Sequence, residues 1–161
     1  MPISSVGSRS RKRRAGVTLI ELLIVMVLVS LLAGVSFPAL TAGIDTLRMK
    51  QASDAVAVAF NQSLQRAERR QRPVEVVISR AENAVLIYGE GAAAERRIEM
   101  PDGVRIAGIL PPAPFGDERA RQFLVVPGGA VPRMGVVLEN RRGTKRMVSV
   151  DPITGVPQVT P

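Results

Sequence analysis

The chain has 161 residues, a formal charge of +8, and neither histidine nor cysteine. The missing imidazole removes the commonest general base and metal ligand, the missing thiols rule out a disulfide framework, and 3% aromatic residues leave few stacking platforms for single-stranded nucleic acid. The charge is concentrated: residues 1–16 hold Arg9, Arg11, Lys12, Arg13 and Arg14 and no acid, so the remainder carries 17 basic against 14 acidic residues, about +3, a weak sign of a nucleic-acid partner.

After this basic leader comes Gly16, then Val17-Thr18-Leu19-Ile20-Glu21. Leu22 to Ile44 carries no charged side chain and is mostly apolar. A helix crosses a bilayer with about 20 residues. The run therefore predicts a transmembrane helix over residues 17–40, with the basic leader held on the cytoplasmic side and the C-terminal part outside. Glu21 stands at its edge. A carboxylate costs roughly 2.5–3.5 kcal/mol at a membrane centre, so it reads either as a charge solvated by headgroups or as a group with a partner. A Sec-type signal peptide has a shorter apolar core and a small-residue cleavage site, for which Leu32-Ala33-Gly34 is a weak candidate.

From Ile44 the apolar or small residues Leu47, Ala52, Ala55, Val56, Ala59, Phe60, Leu64 and Ala67 recur at spacings of mostly three and four. That period predicts an amphipathic helix extension over residues 41–72. Arg69, Arg70 and Arg72 suit its last turn, and Pro73 ends it. The whole helix, from about Thr18 to Arg72, would span on the order of 80 Å, loosened near Gly34 and Pro38.

Residues 73–161 read as strands and turns. Val74–Ser79 and Ala84–Tyr88 form a hairpin about Glu82-Asn83. Arg96–Met100 and Val104–Leu110 flank the turn Pro101-Asp102-Gly103. A proline-containing loop leads to a strand at Phe123–Val126. Gly135–Glu139 and Arg146–Val150 form a second hairpin, and Val156–Val159 closes the chain. The predicted fold class is α+β: a long N-terminal helix, transmembrane in its first half and amphipathic in its second, packed on antiparallel β-sheets.

The glycine, the four residues after it, the glutamate and the apolar helix together resemble the N-terminus of the type IV pilin superfamily. The resemblance implies cleavage by a prepilin peptidase between Gly16 and Val17 and N-methylation of Val17. Glu21 becomes the fifth mature residue and Pro38 the twenty-second, where many pilins carry a helix-loosening proline. Val17 departs from the usual Phe or Met. The resemblance also gives Glu21 a partner: the free amine of Val17 on a neighbouring subunit, in keeping with the need to pair buried charges. Pro38 reads as a kink or as a device for helix extension. The layout, with Phe123-Leu124-Val125-Val126-Pro127-Gly128-Gly129 and Val148-Ser149-Val150-Asp151-Pro152-Ile153-Thr154-Gly155, is similar to the H class of type II secretion minor pseudopilins.

Arg141, Arg142, Lys145 and Arg146 cluster at the second hairpin. They read as a solvated turn or as a polyanion contact, the latter similar to the fimbrial T class of minor pilins. Asp117 with Glu118, and Glu95 with Glu99, lack calcium-loop spacing, and no phosphate loop, serine nucleophile motif or zinc spacing is present. The expectation is a non-enzymatic minor pseudopilin without cofactor or metal. It sits in the inner membrane by a single pass, with a periplasmic head. Its partners are the prepilin peptidase, other major and minor pseudopilins and the inner-membrane secretion platform, and nucleic acid is not expected among them. The alternatives are a minor type IV pilin in pilus biogenesis or DNA uptake, and a membrane-anchored periplasmic binding protein.

Overall fold

The computed structural model describes residues 17–161 except 90, 92 and 114–118; the side chains of Val35 and of residues 37–40 also lie outside the description. The chain divides into two units between Leu40 and Thr41. Helix α1, Leu19–Arg70, supplies residues to both.

In the first unit the helix is apolar on every side between Leu22 and Val29. Leu19 is 82% exposed and Leu32 69%, and every described helical side chain up to Gly34 is exposed. A helix without a polar face has to be covered by something other than water. Ser30 is accommodated because its hydroxyl donates to the Met26 carbonyl at 2.8 Å. Among the described residues, no helix is long and apolar enough to cross a membrane. The span expected over residues 17–40 falls partly outside the described side chains, at Val35 and residues 37–40.

In the second unit the rest of α1 joins two four-stranded antiparallel sheets. The strands are β1 Val74–Ser79, β2 Ala84–Tyr88, β3 Ala94–Glu99, β4 Val104–Leu110, β5 Ala120–Val125, β6 Gly135–Asn140, β7 Lys145–Val150 and β8 Pro157–Thr160. One sheet has the order β3-β2-β1-β5 and the other β4-β6-β7-β8. The hairpins β1–β2 and β6–β7 match their sequence patterns. Pro101-Asp102-Gly103 makes a turn that closes no hairpin. It carries the chain from one sheet to the other, because β3 pairs with β2 while β4 pairs with β6. Gly103 takes φ 84°, a conformation that side chains resist.

One core joins the helix to both sheets. Met49, Ala52, Val56, Ala59, Phe60 and Ala67 meet Val76, Ile78, Val85, Ile106, Val136, Leu138 and Val148 there. Burying a side chain such as Phe60 contributes about 1.5–3 kcal/mol. The helical stripe differs from the expected one. Leu47, 56% exposed, and Ile44 face outward, while Met49, Ser53 and Ser63 are buried. The serines satisfy their hydroxyls on the helix itself, Ser53 on Met49 O at 2.8 Å and Ser63 on Phe60 O at 2.7 Å. Edge strand β3 carries Glu95, Arg96, Arg97 and Glu99, and charges of this kind discourage edge-to-edge pairing.

Candidate functional site

The N-terminal site begins with Thr18. Its carbonyl accepts the N–H of Leu22 at 3.2 Å, and its hydroxyl accepts the N–H of Glu21 at 3.3 Å. Thr18 is therefore the N-cap of α1, and Glu21 is the third helical residue. A threonine three residues before a glutamate is the capping-box spacing, a local signal that marks Thr18. Glu21 lies in the first turn, where the helix dipole favours an acid, and it is exposed. Val17 is exposed and stands one residue ahead of the cap. Gly16 and the basic leader lie outside the described residues. The helix runs through Pro38, whose side chain lies outside them as well.

The second candidate is the β6–β7 hairpin. Its tip is organised by Asn140, which is 7% exposed. The Asn140 side-chain oxygen accepts the N–H groups of Arg142 at 3.0 Å and Thr144 at 2.9 Å. Gly143 takes φ 77° to close the turn. Arg141, Arg142 and Lys145 are exposed, whereas Arg146 is half-buried. Strand alternation accounts for this division. Lys145 pairs with Glu139, while Arg146 pairs with Leu138 and shares the inner face with Val148 and Val150. The four cations therefore do not form one patch. Glu139, with a side chain 17% exposed, also takes the guanidinium of Arg105 at 3.0 Å. Arg141 lies over Gly103, where an added Cβ would stand 2.9 Å from its Nε.

Of the carboxylates singled out by sequence, Glu95 and Glu99 are engaged by arginines. Glu95 pairs with Arg66 and lies 3.8 Å from Arg70. Glu99 takes Arg97 at 2.8 Å, and Arg97 also pairs with Glu82. Asp117 and Glu118 lie outside the described residues. Among the described residues, no group of three or more acids is placed to hold a metal ion. One acid stands apart. Asp151 Oδ1 accepts the N–H of Ile153 at 2.8 Å and of Thr154 at 3.2 Å. Those bonds, the one from Ile153 first, hold its carboxyl below the ordinary aspartate range.

Comparison with protein families matches residues 11–37 to the prokaryotic N-terminal methylation motif. The matched segment includes Gly16, Val17, Glu21 and the first turns of α1. It supports a type IV pilin-like family for this chain. The comparisons with curated proteins and with solved structures gave no match.

Proposed function

We propose that this protein is a minor pseudopilin of type II secretion, cleaved after Gly16, N-methylated on Val17 and assembled into a short periplasmic filament. The observation that carries the reading is the helix that begins at Leu19. Glu21 heads it within the methylation motif, and the apolar side chains behind Glu21 are exposed on every side. Such a surface fits a bilayer before assembly and neighbouring helices after it.

Cleavage would leave the Val17 amine just ahead of the N-terminus of α1. A positive charge there opposes the helix dipole, so a carboxylate is needed to offset it. Glu21 of a neighbouring subunit supplies one, and the two charges leave water as a pair. In this reading Gly16 and Val17 are the processing site, Val17 the methylated residue and Glu21 the assembly residue. Pro38 gives the helix local freedom. The role is structural, and the partners are the prepilin peptidase, sibling pseudopilins and the inner-membrane platform.

A minor type IV pilin tied to DNA uptake is the second reading, and the exposed Arg141, Arg142 and Lys145 favour it. The secretion reading draws support from the division of the basic cluster between two sheet faces and from the Arg105–Glu139 pair beside it. Intact mass of the membrane-extracted protein tests the processing step. The expected product lacks residues 1–16 and carries one added methyl group on Val17. A mature chain that begins elsewhere, such as after Ala33, would overturn the assignment.

A further inference from the structure

Two depressions adjoin near the C-terminal end of α1, and Gln65 and Arg69 border both. One, about 410 Å³, is walled by the polar and charged residues Gln62, Gln65, Arg66, Arg69 and Arg70, whose aliphatic stems make up much of its surface. The other, about 320 Å³, has Leu64, Val125, Val126 and Val131 in its wall. Most of the charges around the first are engaged from β3: Glu95 takes Arg66 and lies close to Arg70, and Arg96 donates to Gln62 Oε1. Glu68 stands in the wall of the second depression, where its Oε1 accepts the N–H of Gly128 at 2.8 Å. Arg69 stands apart. It is exposed, and among the described residues its side chain makes no hydrogen bond or ion pair.

We infer that the Gln65–Arg69 ridge docks an acidic segment of a partner protein, one that carries an apolar side chain beside its carboxylates. A guanidinium fork matches a carboxylate bidentately, and Arg69 offers one with its donors unused. Gln62 Nε2 and Gln65 Oε1 add an amide donor and an acceptor for a peptide backbone, the opposite end of each amide being engaged by Arg96 and Asn61. Across the ridge, the valines and Leu64 give an apolar neighbour of the carboxylate a largely apolar wall to rest on. A nucleic-acid strand fits the same surface less well. It would use only the cationic side, leave the apolar wall without a partner, and find no aromatic ring among the described residues that line either depression.

The test titrates the full chain, in detergent micelles, against short labelled peptides and labelled duplex DNA. The peptides alternate glutamate with leucine, glutamate with serine, and lysine with leucine. The glutamate–leucine peptide should bind tightest. Arg69→Glu should weaken it roughly tenfold, the scale of one hydrogen bond to a charged group. Arg69→Gln should fall between the two. Val126→Ser should weaken the glutamate–leucine peptide and leave the glutamate–serine peptide unchanged. Circular dichroism of each variant checks that the fold persists, which the exposure of Arg69 favours. The inference is overturned if the glutamate–leucine peptide binds no tighter than the lysine–leucine one, or if both Arg69 variants leave it unchanged. Duplex DNA binding tighter than any peptide, with the same dependence on Arg69, would assign the ridge to a polyphosphate and overturn it as well.

Discussion

The side-chain oxygen of Asn83 accepts the backbone N–H of Ile106 at 2.8 Å, which fastens the β1–β2 turn to the edge strand β4 of the other sheet. Its amide group donates to the Val104 carbonyl at 2.9 Å, and its own carbonyl accepts the N–H of Met100 at 3.0 Å. Asn83 also takes φ 49°, a conformation asparagine tolerates better than most residues. Asn83→Ala should therefore lower stability by about 2–4 kcal/mol, combining two lost hydrogen bonds with left-handed strain. Asn83→Gly keeps the backbone conformation and should cost about half as much. Denaturant unfolding of both variants measures the difference. Equal losses would show that the backbone conformation contributes nothing.

Glu21 has two physical roles that substitution can separate. It lies in the capping-box position after Thr18, and it carries the charge proposed to meet the Val17 amine. Glutamine satisfies a capping box but has no charge. If pairing is its role, Glu21→Gln and Glu21→Ala should both leave cleavage after Gly16 intact and impair N-methylation or filament recruitment. Rescue by glutamine, read by intact mass and by crosslinking to sibling subunits, would assign Glu21 to helix capping instead.

Asp151 gives the second unit a pH dependence with a definite sign. Its folded pKa is held low by the N–H groups of Ile153 and Thr154. A depressed carboxyl contributes stability that is fully present above the unfolded pKa and lost as pH falls through the folded one. Unfolding midpoints should therefore fall as pH drops below about 4. Asp151→Asn keeps an acceptor oxygen for both N–H groups and should flatten that part of the profile. An unchanged profile in the variant would show that other carboxylates carry the acid sensitivity.

The basic hairpin can be tested without disturbing the fold if its residues are treated by face. Arg141→Glu and Arg142→Glu with Lys145→Gln change the exposed cations and avoid a second acid opposite Glu139. As a pseudopilin, the protein should bind duplex DNA no tighter than generic basic proteins, with Kd around 10⁻⁴–10⁻⁶ M at physiological salt. The triple variant should then leave secretion little changed. Tight, salt-sensitive binding that vanishes in the variant would promote the DNA-uptake pilin. Arg146→Glu is a separate matter. On the inner face beside Val148 it should cost about 1–3 kcal/mol of stability.

The local features of this chain were legible in its sequence because each depends on near neighbours. The 3.6-residue period and Pro73 mark the helix and bound it, although it ends at Arg70, two residues before the expected Arg72, with Gln71 at φ 54°. Alternating apolar residues bounded by Gly, Pro, Asn and Asp define the strands. The methylation motif matches residues 11–37, a short linear pattern that includes Gly16, Val17 and Glu21. Even the separation of Lys145 from Arg146 follows from the two-residue period of a strand, once the strand is known to reach the hairpin tip.

What the sequence left open was settled by contacts between distant segments. A strand pattern says which side chains share a face, but not which strand lies alongside. So β5 pairs with β1, and the Pro101–Gly103 turn switches sheets where a hairpin would have been equally consistent with its residues. The same holds on the helix. Leu47 and Ile44 fit an apolar stripe as well as Met49 does. The two sheets meet α1 along the face that carries Met49, Ser53 and Ser63, because small residues and self-bonded hydroxyls let that face pack closely. Arg69 joins a cationic cleft to an apolar one only because β5 and the segment after it come to rest beside the helix. Periodicity is a property of neighbours along the chain; partnership depends on which surfaces the folded chain brings together to bury.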